Sequence, residues 1–319
     1  MIPNFFIIGA PKCGTSALAQ YLSEHPAVFF TDPKEPFYFS EDYPKLKKQH
    51  FLTDDASYLA LYANADPERH IALGEGSTNY LASEVAVARA LRMSPDAKFI
   101  VLLRDPVEVA HAFHMEQVFA RNEDEEDFER AWRLQDARAR GESIPATCLA
   151  PQFLLYREVA SYAGQIERFF AQVPPERRLV LFQEQLKADP LGLYRESLAF
   201  LGLPDDGRAE FPIVNGSHSH RYEWLANLVL RPPKPLQPAV WAFRNYARRN
   251  KPRSIELLKE RLRVKSRRKD MSPAFEAELY EVFRPDVERL ERLLEVSLPK
   301  WKGPHLERAL EASGLSAST

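Results

Sequence analysis

Phe6-Ile7-Ile8-Gly9-Ala10-Pro11-Lys12-Cys13-Gly14-Thr15-Ser16-Ala17-Leu18 is the stretch whose reading decides the fold. It is an apolar strand, a turn carrying two glycines, and a helix opened by hydroxyl residues. Such a turn presents backbone N–H groups and a helix N-terminus to an anion. Gly9 and Gly14 have the spacing of the triphosphatase loop G-x-x-x-x-G-K-[ST], but Thr15 stands where that loop has its lysine. The lysine is Lys12, inside the loop. A kinase or triphosphatase would lose the ammonium that reaches the terminal phosphates, whereas a lysine within the loop still reaches a 5′-phosphate and the group leaving from it. Cys13, although near a helix start where a thiolate is favoured, reads as a residue packed beside the loop.

Working outward, short apolar runs alternate with longer amphipathic ones. Asn4–Ile8 reads as a strand and Thr15–Ser23 as a helix, which opens a βα unit. Ile71–Leu73, Phe99–Leu103 and Leu179–Phe182 read as further strands, with helical patterns over Val107–Ala120, Pro190–Leu201 and Pro273–Leu294. This alternation predicts an α/β fold, a central parallel sheet flanked by helices. One domain spanning 1–319 is expected, with a basic insertion around 231–269 and a frayed Ser-rich tail over 313–319. The insertion opens on Arg231-Pro232-Pro233-Lys234-Pro235, a break in any helix, and its cations from Arg244 to Lys269 read as a solvated helical face. Contact with an anionic surface is its functional alternative. Glu123–Glu129 reads as a solvated acidic loop or first helical turn.

Composition narrows the classes. The 319 residues are 45% hydrophobic and 28% charged, with a formal net charge of −2, so no global field selects nucleic acid or an anionic membrane. Cys13 and Cys148 are too few for a disulfide framework and lack zinc spacing. No positive n-region opens the sequence, and no apolar stretch reaches the ~20 residues of a membrane-spanning helix, so a cytoplasmic protein is expected.

The loop resembles that of sulfotransferases using 3′-phosphoadenosine 5′-phosphosulfate (PAPS), P-K-x-G-T-[ST]-x-L after a strand, matched at Pro11, Lys12, Gly14, Thr15, Ser16 and Leu18. Ile100-Val101-Leu102-Leu103-Arg104-Asp105-Pro106-Val107-Glu108 resembles the family's 3′-phosphate segment, which implies that Arg104 holds that phosphate through paired N–H bonds. The family usually has a serine eight residues after this arginine, where this sequence has Ala112; His111 or His114 is the candidate substitute. Pro33-Lys34-Glu35-Pro36-Phe37-Tyr38-Phe39 is similar to the segment whose Glu is the base in glycan and bacterial branches, and Gly74-Glu75-Gly76-Ser77-Thr78-Asn79-Tyr80 to the family's G-E-x-[ST]-x-x-Y. Phe37 and Gly76 depart from the His and Lys often found there. Tyr162-Ala163-Gly164, Val214-Asn215-Gly216-Ser217 with Arg221, and Phe283-Arg284-Pro285-Asp286 through Trp301 resemble later landmarks in the same order.

The resemblance implies in-line transfer of a sulfuryl group to a hydroxyl or amine of a small-molecule or carbohydrate acceptor, leaving adenosine 3′,5′-bisphosphate. Lys12 and the loop amides would meet the charge gathering on the bridging oxygen, and Glu35 would take the acceptor proton, with His111 and His114 as alternative bases. The loop residues Pro11 to Ala17, with Arg104, Ala112, Tyr162, Ser217 and Arg221, are the implied nucleotide contacts. No metal is implied. A P-loop kinase and a nucleotide-binding relative without catalysis are the rival readings.

Overall fold

The computed structural model describes residues 1–47, 52–212, 218–220, 263–265 and 270–303. Ser217, Arg221, the 313–319 tail and most of the basic stretch lie outside the described residues.

Five strands, β1 (Phe5–Ile7), β2 (Val28–Phe30), β3 (Ala72–Glu75), β4 (Lys98–Leu103) and β5 (Arg178–Phe182), form one sheet in the order β2-β3-β1-β4-β5. Every pairing in it is parallel, with Phe6 opposite Glu75 on one side and Phe99 on the other. Phe5, Phe6 and Ile7 are fully buried, as is Phe99 through Leu103. A sheet covered on both faces selects continuous apolar runs of this kind over alternating ones.

Helices α1 (Thr15–Ser23), α2 (Ala86–Met93), α3 (Pro106–Phe119), α4 (Ala163–Phe170), α5 (Pro190–Leu201) and α6 (Pro273–Leu294) connect or follow the strands. Their ends carry the expected signals. Asp189 caps α5 by accepting from Gly192 N at 2.8 Å, and Gly202, in the left-handed region, closes it. Ser272 caps α6, and Pro273 takes its first position. α6 is then tied down by Asp286, whose carboxylate accepts from Tyr162 N at 2.7 Å and from Ala163 N at the start of α4. The sequence pattern predicts α1, α5 and α6 with these bounds; β2, three residues long, was not among its strands.

The described residues fall into two compact units. The first, residues 1–111, 157–212 and 272–303, contains the sheet. Because β1 has β3 on one side and β4 on the other, the chain reverses direction across the sheet there, and the ends of these strands open a crevice where α/β proteins bind ligands.

The second unit includes residues 112–156 and an antiparallel pair, β6 (His218–His220) with β7 (Arg263–Lys265). β7 corrects the helical expectation for Arg263–Lys265, which pair as a strand with His218–His220. The acidic segment also differs from the solvated loop expected. Glu123 is buried, paired with the buried Arg138 at 2.6 Å and accepting from Tyr156 at 2.6 Å. A carboxylate is kept inside only with such partners.

Candidate active site

The loop after β1 depends on two close approaches. A Cβ at Gly9 would lie 2.2 Å from Leu102 N, so only glycine lets the chain leave β1 hard against β4. Ala10 N then donates to Leu102 O at 3.0 Å. Lys12 and Gly14 both take the left-handed region, φ 64° and 94°. Gly14 adopts it without strain, whereas Lys12 is an uncommon non-glycine case of the type concentrated at functional loops. Gly14 gives α1 no side-chain cap, which leaves the helix start suited to an external anion. Pro11, Lys12 and Ser16 reach the surface in part; Cys13, Thr15 and Ala17 are buried. Burial pushes the Cys13 thiol well above its ordinary range, outweighing the nearby Arg104, so it is not a reactive thiolate.

Arg104 ends β4 beside the loop. Its guanidinium donates to the Lys12 carbonyl at 3.2 Å and to Glu108, one helical turn on, at 2.7 Å. The arginine expected to grip a phosphate therefore also holds the strained loop residue. Asp105 caps α3 by accepting from Val107 N at 2.8 Å, and Tyr280 donates to its other oxygen at 3.2 Å. Burial lifts the Asp105 carboxyl to about 7. A cavity of about 380 Å³ opens here, lined by Arg104, Glu108, Lys187, Tyr280, Lys300 and Trp301 among others.

On the other side of the loop, the segment after β2 brings Glu35 to the same strand ends. Lys34 Nζ lies 2.7 Å from Glu35 Oε1, 3.2 Å from Thr15 Oγ1 and 3.1 Å from the Gly76 carbonyl. One ammonium thus joins the candidate base to the first residue of α1. The Glu35 side chain is 31% exposed, open enough for an incoming hydroxyl. In the sequence the only signal for Lys34 is its place beside Glu35.

A buried carboxyl supports this segment from below. Glu75, fully buried at the end of β3, accepts from Tyr58 at 2.8 Å, Tyr80 at 2.9 Å and Ser77 at 2.5 Å. Ser77 Oγ accepts in turn from Phe37 N at 3.1 Å, and Tyr80 OH from Phe39 N at 3.2 Å. Burial raises the Glu75 carboxyl to about 7 despite these three hydroxyl partners. The network fixes residues 37–39 and hence the loop that carries Glu35.

Other expected residues lie elsewhere. Tyr162 is fully buried behind the loop, facing Cys13 and packed edge-on against Trp301. Ala112 lies on α3, half-buried, with no hydrogen-bonding side chain. His114 is packed between Phe128 and Tyr156, with Nε2 2.8 Å from the Glu125 carbonyl, and burial lowers its pKa. Those contacts are of a core histidine. His111 is buried as well. Among the described residues no group of three or more His, Cys, Asp or Glu could hold a metal ion.

The human bifunctional heparan sulfate N-deacetylase/N-sulfotransferase 3 is 27% identical over 209 residues, 63% of this chain and 22% of that protein. Mouse heparan sulfate glucosamine 3-O-sulfotransferase 3A1 is 31% identical over 206 residues, 63% of this chain and 46% of that protein. The chain therefore spans between about a fifth and a half of these curated relatives. A solved sulfotransferase from Alicyclobacillus acidocaldarius superposes with a TM-score of 0.67 at 27% identity, covering 95% of this chain and all of that one. The model of the sulfotransferase family matches residues 3–207, a span that includes the phosphate loop, Lys34-Glu35, Glu75 and Arg104, and the chain belongs to that family.

Proposed function

We propose that the chain transfers a sulfuryl group from PAPS to a hydroxyl or amine of a glycan or small-molecule acceptor. The observation that carries this reading is the Lys34 bridge, which puts the carboxylate of Glu35 within one ammonium of the phosphate loop. The residues present fit a 5′-phosphosulfate: an uncapped helix start, a turn with two left-handed residues, a lysine inside the loop, and an arginine at the next strand end. PAPS supplies the sulfuryl group, whose sulfur–oxygen bond to the 5′-phosphate breaks as a bond to the acceptor oxygen or nitrogen forms.

The chain's own residues then divide the work. Lys12 and the loop amides stabilise negative charge where the bridging oxygen becomes a phosphate oxygen, in a site that is already oriented and so pays little reorganisation. Arg104 meets the 3′-phosphate and keeps the Lys12 carbonyl in place. Glu35 Oε accepts the acceptor proton, and the Glu75–Ser77–Phe37 chain of hydrogen bonds holds its loop. The heparan sulfate sulfotransferases among the relatives support a glycan acceptor, and the buried Cys13 and Cys148, which form no disulfide, suit a reducing compartment. Incubating the protein with PAPS and a panel of heparan-type oligosaccharides, phenols and amines, followed by mass spectrometry, tests the reading. A sulfated product with matching adenosine 3′,5′-bisphosphate supports it; consumption of ATP with a phosphorylated product counts against it.

A further inference from the structure

Lys34 carries more than its place in the sequence suggests. Its ammonium has three N–H donors and three acceptors at hydrogen-bonding distance: the Glu35 carboxylate, the Thr15 hydroxyl and the Gly76 carbonyl. Two of these are fixed. Thr15 is buried at the first turn of α1, and the Gly76 backbone is pinned from its other side by Gly76 N donating to Lys34 O at 2.9 Å. The third partner, Glu35, is on a side chain 31% exposed. The backbone makes room for this lysine: a Cβ at Gly76 would lie 3.0 Å from Lys34 Cε and 3.3 Å from Phe30 Cζ, so a larger residue there would crowd the stem.

Charge decides what this arrangement does. An ion pair open to water is weak and readily exchanged, whereas an anion held at a helix start meets an ammonium with little competing solvent. We propose that Lys34 is the residue that reads the sulfuryl group: with the site empty it holds Glu35, and with PAPS in the loop it turns to the sulfuryl oxygens while keeping Thr15 and Gly76, which releases the Glu35 carboxylate to act as base. Base and sulfuryl donor are coupled through one side chain, so Glu35 is uncovered only where there is a group to transfer. This rests on the PAPS reading of the loop and adds a specificity residue to it. Lys12 reaches the same phosphosulfate from within the turn; Lys34 reaches it from the segment after β2, on the side from which the acceptor's proton leaves.

The consequence is a preference for PAPS over adenosine 3′,5′-bisphosphate, which lacks the sulfuryl group, and it is read by binding, with no acceptor required. Dissociation constants for both nucleotides are measured by calorimetry on the wild type, Lys34→Met, Lys34→Arg and Glu35→Gln, with thermal melts to confirm folding. Loss of one charge-assisted contact is expected to weaken PAPS about tenfold in Lys34→Met while adenosine 3′,5′-bisphosphate stays within about twofold. Lys34→Arg should recover part of the preference, and Glu35→Gln, which removes the competing carboxylate, should increase it. Lys34→Gln gives the same readout where the Met variant does not fold. An unchanged ratio of the two constants in folded Lys34→Met or Lys34→Gln, whether both affinities fall together or neither falls, overturns the proposal. A wild type that binds neither nucleotide overturns the reading of the loop itself and the proposal with it, a result distinct from the first.

Discussion

The Arg104 guanidinium donates to the backbone carbonyl of Lys12 at 3.2 Å, so the residue facing the cavity at the end of β4 also holds the left-handed turn of the phosphate loop. Its remaining edge is occupied by Glu108 at 2.7 Å. Arg104→Ala is therefore expected to lower both nucleotide affinity and the rate of transfer, and Arg104→Lys to rescue little, since an ammonium cannot serve both edges. Glu108→Gln removes a part-buried i,i+4 pair on the guanidinium proposed to meet the 3′-phosphate and should tighten adenosine 3′,5′-bisphosphate by about twofold. Calorimetry on the three variants checks this; an Arg104→Ala protein with normal affinity would remove the arginine from the site.

In the proposed mechanism Lys12 acts on charge that appears only as the bridge breaks. Lys12→Ala should reduce kcat by about 10²–10³-fold, the range for losing one preorganised contact to a developing oxyanion, with a smaller loss in nucleotide affinity. A change confined to KM would assign Lys12 to ground-state binding.

Glu75 links the site to stability. Its folded pKa of about 7 lies above the ordinary 4.5, so the folded state holds the proton better than the unfolded one. The stabilisation from this proton is complete below about pH 4.5 and is lost as pH rises through 7, by roughly 3 kcal/mol at most. Asp105, raised by burial to about 7, acts in the same direction and remains in a Glu75 variant. Melting temperatures of wild type and Glu75→Gln between pH 5 and 8 should converge or cross in favour of the variant as pH rises. A constant gap would mean that Glu75 does not titrate in this window.

Much of this was legible in the sequence, for physical reasons that differ by element. α1, α5 and α6 announce their ends through Gly14, Asp189-Pro190 with Gly202, and Ser272-Pro273, where local chemistry sets the boundary. β4 shows itself as an unbroken apolar run because it is covered on both faces. The loop and Arg104 follow from motif and spacing. The Glu75 network does not, because its partners Tyr58, Ser77 and Tyr80 are joined only by tertiary packing, and the same is true of the three contacts of Lys34. Tyr162 matches a motif, but its full burial beside Cys13 comes from tertiary packing that a pattern does not record. His114 reads as a candidate base in sequence and as core once Phe128 and Tyr156 enclose it.

Glu35 is the group expected to receive the acceptor proton. Glu35→Gln preserves size but cannot accept it, so kcat should fall about 10²–10⁴-fold with any acceptor the panel returns, while adenosine 3′,5′-bisphosphate affinity stays nearly the same. His114→Ala should cost stability, through its lost packing, more than turnover. Near-normal kcat in Glu35→Gln together with an inactive but folded histidine variant would move the base to that histidine.

The loop from Gly9 to Ser16 is expected to hold a nucleotide carrying a 3′-phosphate and a 5′-phosphosulfate, and thermal shift measures this without knowledge of the acceptor. Adenosine 3′,5′-bisphosphate at about a hundred times its dissociation constant should stabilise the fold by about 2.7 kcal/mol, visible as a rise of several degrees in Tm. ATP with magnesium at the same concentration should do far less, and Lys12→Ala and Arg104→Ala should each shrink the shift. Equal stabilisation by both nucleotides, or a shift from ATP with magnesium alone, would contradict the account.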